Sequence, residues 1–206
     1  MRALDRIHET FVYGRRIRRL CEFLCQLIPL NCVFLDVGCG DGRLAESLLQ
    51  KRPDLRIEGV DVLVREQTRL PIKAFDGATL PYPDASFDGV MMIDVLHHTE
   101  NPVELLREAI RVSRRWLIVK DHVLQGFMSG RRLQFMDRIG NARHSVALPY
   151  NYLPAAEWSE IQGLLNLKVR SEIRRLGLYP WPFDYVFGAS LHFISLMERL
   201  TPPDPA

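Results

Sequence analysis

The sequence predicts an α/β domain built on a parallel sheet with helices on both faces. Three observations carry that reading. The apolar run Val33 to Val37 enters a turn of alternating glycines and then passes into residues at helical spacing. Apolar runs and amphipathic stretches alternate beyond it, as in strand–helix–strand units. The runs Gly89-Val90-Met91-Met92-Ile93 and Trp116-Leu117-Ile118-Val119 are apolar throughout, as strands covered on both faces must be.

A chain of 206 residues fits one domain, residues 1–206, with a sizeable core. Its net charge of +2 demands no polyanionic partner. Four cysteines, Cys21, Cys25, Cys32 and Cys39, include no C-x-x-C pair. Cys21 and Cys25 stand one helical turn apart among Ile17, Leu20, Leu24 and Ile28, and read as small apolar fillers. Arg and Asp punctuate the first twenty residues, which argues against a secretory leader. No apolar run approaches the ~20 residues of a membrane span. A reducing cytoplasm is the expected compartment.

Residues 1–30 read as a leading helical segment with one amphipathic helix from Val12 to Leu27, stopped by Pro29 and Asn31. Within it, Arg15, Arg16, Arg18 and Arg19 read as a solvated helix face. Contact with a membrane surface or a phosphate-bearing acceptor is the alternative. Val33–Val37 is the first strand. Leu44, Ala45, Leu48 and Leu49 mark the helix after the glycine turn. Residues 56–61 form the second strand and 72–75 a short third. Between them, residues 62–71 leave room for a turn or two of helix at most. The turn-rich stretch Leu80 to Asp88 precedes the fourth strand, at residues 89–94. Asn101-Pro102 opens a helix through Val112, and residues 116–119 form the fifth strand. Pro154 to Trp158 opens another helix. Residues 167–173 and 191–197 are the last strand candidates, and the proline-rich tail 201–206 reads as disordered.

The glycine turn decides the ligand class. The dinucleotide fingerprint G-x-G-x-x-G would need a glycine at position 43, where Arg43 stands. Here the third glycine is Gly42, giving D-x-G-x-G-x-G from Asp36. Such glycines admit positive φ and clear side chains from a surface that a ligand lies against. Asp61 follows about twenty residues on, where an acid can accept from both ribose hydroxyls.

Together with Asp76-Gly77 and the run Leu80 to His98, these motifs resemble the class I S-adenosylmethionine (SAM)-dependent methyltransferases. The subgroup that methylates small molecules and lipid-like quinones is the nearest. The resemblance implies a doubly wound, Rossmann-like seven-stranded sheet of order 3-2-1-4-5-7-6 with the last strand antiparallel. It implies SAM as cofactor. Asp36, Gly38, Cys39, Gly40 and Gly42 would lie at its methionine end and Asp61 with Val62 at the ribose. Asp76 with Gly77 would lie near the adenine, and Asp94 with Val95 would close over it. The sequence departs from the family in the shortened 62–71 connection and in Val112 to Trp116, which replaces a Pro-Gly-Gly turn.

Ligands of open α/β sheets bind at the carboxyl ends of the strands. His97, His98, Asp121 and His122 stand there as candidates for a base that would take an acceptor proton. Each has a plainer use in satisfying loop backbone groups. No ligand spacing points to a metal. Residues 123–156 spend over thirty positions where about a dozen would connect a strand to a helix, so they read as an acceptor lid. A surface helix with a packed apolar face is the alternative.

The function expected is methyl transfer to a small, apolar acceptor. The alternatives are a nucleic-acid or protein methyltransferase and a non-catalytic SAM-binding module. Against the former, Ile93-Asp94-Val95-Leu96 stands where an Asn/Asp-Pro-Pro-aromatic motif would be, and no nucleic-acid partner is expected. Peripheral membrane contact and oligomeric state stay open.

Overall fold

The computed structural model describes residues 13–141, 150–188 and 190–200. The start of the leading segment, part of the lid region and the proline-rich tail lie outside the described residues.

Seven strands form one sheet: β1 (Val33–Val37), β2 (Arg56–Asp61), β3 (Ile72–Ala74), β4 (Phe87–Ile93), β5 (Ser113–His122), β6 (Leu167–Ile173) and β7 (His192–Arg199). Their order is β3-β2-β1-β4-β5-β7-β6. Strands β1 to β5 pair in parallel, and β7 runs antiparallel between β5 and β6. This is the expected topology. The fifth strand is longer than its apolar run, because the polar ends Ser113 and Lys120 to His122 also join ladders.

Among the described residues the α-helices are α1 (Gly14–Leu27), α2 (Arg43–Lys51), α3 (Pro102–Val112), α4 (Ser129–Asn141), α5 (Ala155–Leu164) and the short α6 (Phe183–Phe187). On one face, Leu20 and Leu24 of α1 and Leu44 and Leu48 of α2 pack with Phe34, Met91 and Ile118. On the other, Leu105, Leu106 and Ala109 of α3 and Trp158 of α5 pack with Leu35, Val90 and Leu117. Successive strand residues point to opposite faces, so each central strand feeds both cores. Cys21 is buried in the first of these cores, as a small apolar filler would be.

The helix ends show how the polar backbone is satisfied. Arg52 donates to the carbonyls of Cys25 (2.8 Å), Ile28 (3.0 Å) and Pro29 (3.1 Å), closing the carboxyl end of α1. Asp54 holds that guanidinium through two 2.7 Å bonds. Pro102 opens α3 from its first turn, where the missing N–H costs nothing. The connection 62–71 contains no helix.

The arginines of α1 depart from the solvated face read in the sequence. Arg16 reaches Asp94, and Arg15 donates to the Gly177 carbonyl at 3.3 Å. Arg19 bonds Glu22 and the Leu176 carbonyl. Only Arg18 of the four is exposed. The reason is position: Arg16 stands four residues before Leu20 and eight before Leu24, on the buried stripe.

Candidate active site

The glycine turn sits at the carboxyl end of β1. Gly38, Gly40 and Gly42 all have positive φ. A Cβ on Gly38 would stand 2.5 Å from a Val95 methyl, and one on Gly42 would stand 2.0 Å from Leu70. Close approach and backbone conformation therefore both require glycine at these two positions. Gly38 N–H donates to the Val60 carbonyl at 2.8 Å, and Gly40 N–H to Asp61 Oδ2 at 2.8 Å. Asp61 thus ties β2 to the turn, and its Oδ1 accepts from Leu63 N–H at 2.9 Å.

Asp36 is 3% exposed at the end of β1. Burial, and then the neighbouring charge of Asp61, push its carboxyl up to about 8. Among the described residues, no cation offsets this shift. Asp76 is exposed, and its Oδ1 accepts from Ala78 and Thr79 N–H, which lowers its pKa. Val62 packs over Gly77, 3.3 Å from where a Cβ would be. The short 62–71 connection lays Arg65 over Gly40. Cys39 is aimed at Gly59 of β2 rather than outward.

A second set of side chains converges at the ends of β4 and β5. Asp94 has φ +59 and donates its N–H to the Lys120 carbonyl at 2.8 Å. Its carboxylate receives Arg16 on one oxygen and Lys120 on the other. Burial alone would raise the Asp94 pKa, yet Arg16 and Lys120 hold it well below the usual carboxylate range. Lys120 is fully buried, and burial pulls its own pKa down against the attraction of Asp94. Its Nζ also lies 3.3 Å from His192 Nδ1, while His192 Nε2 lies 3.0 Å from the Phe187 carbonyl. These two contacts fix the His192 proton on Nε2.

Asp121 forms a separate hub. It accepts at Oδ1 from His122 N–H (2.7 Å) and at Oδ2 from Leu96 N–H (3.0 Å). His97 Nδ1 is 2.6 Å and His122 Nδ1 3.3 Å from Oδ1. Burial would raise this carboxyl, but the two imidazoles lower it well below its ordinary value. The ionised oxygen places a proton on His97 Nδ1, so Nε2 is the atom of that ring able to take another. Burial pulls His122 down to about 4 despite Asp121, so at neutral pH it is uncharged. The His97 ring stacks on Tyr152 (5.7 Å between centroids) and meets the His98 ring at a tilt (4.0 Å). His98 is half-buried and stands outside the Asp121 hub.

Ligand atoms of Asp94, His97, Asp121 and His122 lie within 4.8 Å of one another. Two cations already neutralise Asp94, and two imidazoles occupy Asp121. A divalent ion there would add charge to a pocket already balanced.

The structure thus gathers Asp94, His97, Asp121 and His122 in one place and sets Asp36, Gly38, Gly40, Gly42 and Asp61 around the adjoining turn. Arg16, Lys120 and His192 belong to the same site and were missed in the sequence. The buried-stripe position of Arg16 was the available signal. His192 becomes visible only through its register opposite His122.

A family model described as a methyltransferase domain matches residues 35–116, the stretch from β1 into β5. Over that stretch in sequence, and in its fold, the chain is similar to the class I SAM-dependent methyltransferases. Among its relatives, 27-O-demethylrifamycin SV methyltransferase of Amycolatopsis mediterranei is 32% identical, over 47% of this chain and 40% of that protein. Demethylmenaquinone methyltransferase of Thermotoga maritima is 30% identical, over 56% of this chain and 57% of that one. The chain therefore spans about half the length of such relatives. The Burkholderia thailandensis 1,6-didemethyltoxoflavin-N1-methyltransferase, solved with its acceptor and S-adenosylhomocysteine, shares the fold at a TM-score of 0.65. It is 16% identical, over 90% of this chain and 79% of that one.

Proposed function

We propose that this chain transfers the methyl group of SAM to a hydroxyl of a small, apolar acceptor. The observation that carries the reading is the His97–Asp121 pair beside the glycine turn. SAM supplies a methyl group on a positively charged sulfur. The glycine turn, Asp61 and the Asp76 region would hold it, and the unoffset acid Asp36 suits its cationic end. The chain's own task is alignment and proton removal. Alignment by a fixed site supplies roughly 7–11 kcal/mol in favourable cases.

His97 Nε2 takes the proton of the acceptor hydroxyl as the oxygen bonds to the methyl carbon. The imidazolium that forms is balanced by Asp121 on its other nitrogen. His122, neutral and hydrogen-bonded to the same carboxylate, holds that carboxylate in place. Tyr152 walls the site against His97. Of the 123–156 segment, the described residues 123–141 and 150–156 would stand beside the acceptor. Leu133 of α4 is buried with Tyr152 and Leu191, which ties that helix to the site wall.

A small acceptor is favoured over a polymer because His97 and Asp121 are both 2% exposed. The names of the rifamycin, menaquinone and toxoflavin relatives point the same way. Incubation with methyl-labelled SAM and a panel of phenolic or polyketide acceptors tests the proposal. Label is expected in an extractable apolar product. Label found only in RNA or protein would replace the acceptor class, and no turnover with any acceptor despite SAM binding would favour a non-catalytic module.

A further inference from the structure

The outer surface of α4 and the 179–187 segment is unusually apolar for solvent. Trp181 is 87% exposed, Phe127 84% and Tyr185 82%, with Phe135 and Phe183 more than half exposed. Phe135 of α4 stacks on Phe187 of α6 at 6.0 Å, which sets the two segments that carry these rings side by side. Isolated exposed apolar residues need no explanation, but a continuous set of aromatic ones does.

The patch is also basic. Arg131, Phe135 and Arg138 follow at i, i+4 and i+7, so both exposed arginines share the helix face of the exposed ring. From Val123 to Met136 and from Arg174 to Phe183 the sequence holds no acid, and Asp137 is the single acid among the three arginines of α4. Asp184 is half-buried and accepts from Tyr179 N–H at 3.1 Å, which turns its charge inward.

Amphipathic aromatic rings mixed with arginines fit the headgroup layer of a bilayer: rings enter the acyl boundary and guanidiniums meet lipid phosphates. A protein partner would call for a shaped, acid-lined complement, whereas protruding rings with basic neighbours need only an anionic fluid surface. We propose that this chain docks on anionic lipid bilayers through the face formed by Phe127, Arg131, Phe135, Arg138, Trp181 and Tyr185. The face lies one side-chain layer from the buried site. Leu133 on the inner side of α4 packs with Tyr152, and the Phe187 carbonyl meets His192. A docked bilayer therefore stands at the edge of the His97 pocket. The inference does not rest on the methyl-transfer reading.

Flotation of the full chain with vesicles tests it, using phosphatidylcholine alone or mixed with phosphatidylglycerol. The chain is expected to float with the mixed vesicles, to float poorly with phosphatidylcholine alone, and to release on adding salt. Arg131→Gln with Arg138→Gln should cut binding roughly tenfold or more, as loss of two basic side chains near an anionic surface predicts. Trp181→Ser with Tyr185→Ser should cut it by a similar factor at every salt concentration. These side chains are exposed, so melting curves should be unchanged. On mixing with vesicles, tryptophan emission should shift to the blue in the parent chain and not in Trp181→Phe. Failure to float with anionic vesicles, or unchanged flotation in both double variants, overturns the proposal. So does a parent chain that self-associates and becomes monomeric in the Trp181 variant, since a second copy would then own the face.

Discussion

His97 and Asp121 share a 2.6 Å hydrogen bond inside a site where each side chain is 2% exposed. Bonds of this length to an ionised carboxylate are about twice as strong as neutral ones. The pair comes from two strand ends brought side by side by the parallel register of β4 and β5.

Asp121→Asn should lower turnover by about 10²–10⁴ while SAM affinity stays at the parent value. The neutral amide no longer balances an imidazolium. Steady-state kinetics with calorimetric SAM binding checks this. An equal fall in SAM affinity would make Asp121 part of the cofactor site instead.

Asp36 should make SAM binding release a proton. Its folded pKa of about 8 stands above the ordinary 3.8, so the unliganded chain holds this acid protonated at neutral pH. A cation beside it favours the carboxylate. Calorimetry at neutral pH in buffers of different ionisation enthalpy should read this release, and Asp36→Asn should abolish it. The sign for stability follows from the same shift. The raised pKa stabilises the fold fully below about pH 4, and that contribution is lost as pH rises towards 8. His122, lowered to about 4, acts oppositely, destabilising the fold as pH falls from 6.5 to 4. Thermal melts of Asp36→Asn should lose the fall in stability between about pH 4 and 8.

Asp94→Asn should destabilise the fold by about 3–5 kcal/mol, because it leaves the fully buried Lys120 without its counter-charge. Arg16→Gln should cost far less, since the Arg16 side chain is 31% exposed and Lys120 still neutralises Asp94. Urea unfolding of the two variants gives the comparison. Equal costs would mean that the α1 contact, not the buried lysine, sets the energy.

Gly38→Ala should cost about 1–2 kcal/mol from its positive φ alone, with crowding against Val95 added. Val95→Ala should relieve only the crowding. A double-mutant cycle should therefore show a coupling of about 0.5 kcal/mol or more. No coupling would place Val95 away from the turn.

Much of the sheet was readable because each central strand declares itself twice, as an apolar run and as the segment before a polar turn. The second strand, residues 56–61, agrees with its sequence boundaries, since Pro53 and Asp61 punctuate both ends. The polar ends of β5 were harder. Lys120, Asp121 and His122 look like a loop until antiparallel pairing with β7 is known. Asp121 and His122 stood out as titratable groups at a strand end, but Lys120 did not, because a lysine in that place is normally solvated. Arg16 was hidden by a different rule: four arginines in five positions look like a wet helix face. Its spacing to Leu20 and Leu24 is the local trace, whereas its partner Asp94 stands 78 residues away.

The placement of β7 has a consequence for biosynthesis. His192 reaches Lys120 only because β7 slots between β5 and β6, with His192 opposite His122. While the ribosome is still making residues before 192, β5 presents a bare ladder edge and Lys120 lacks its histidine neighbour. Chains fold as they emerge, amino end first. The nascent protein can therefore complete its β1–β5 half and its glycine turn early, yet the contact between Lys120 and His192 forms only after β7 has been translated.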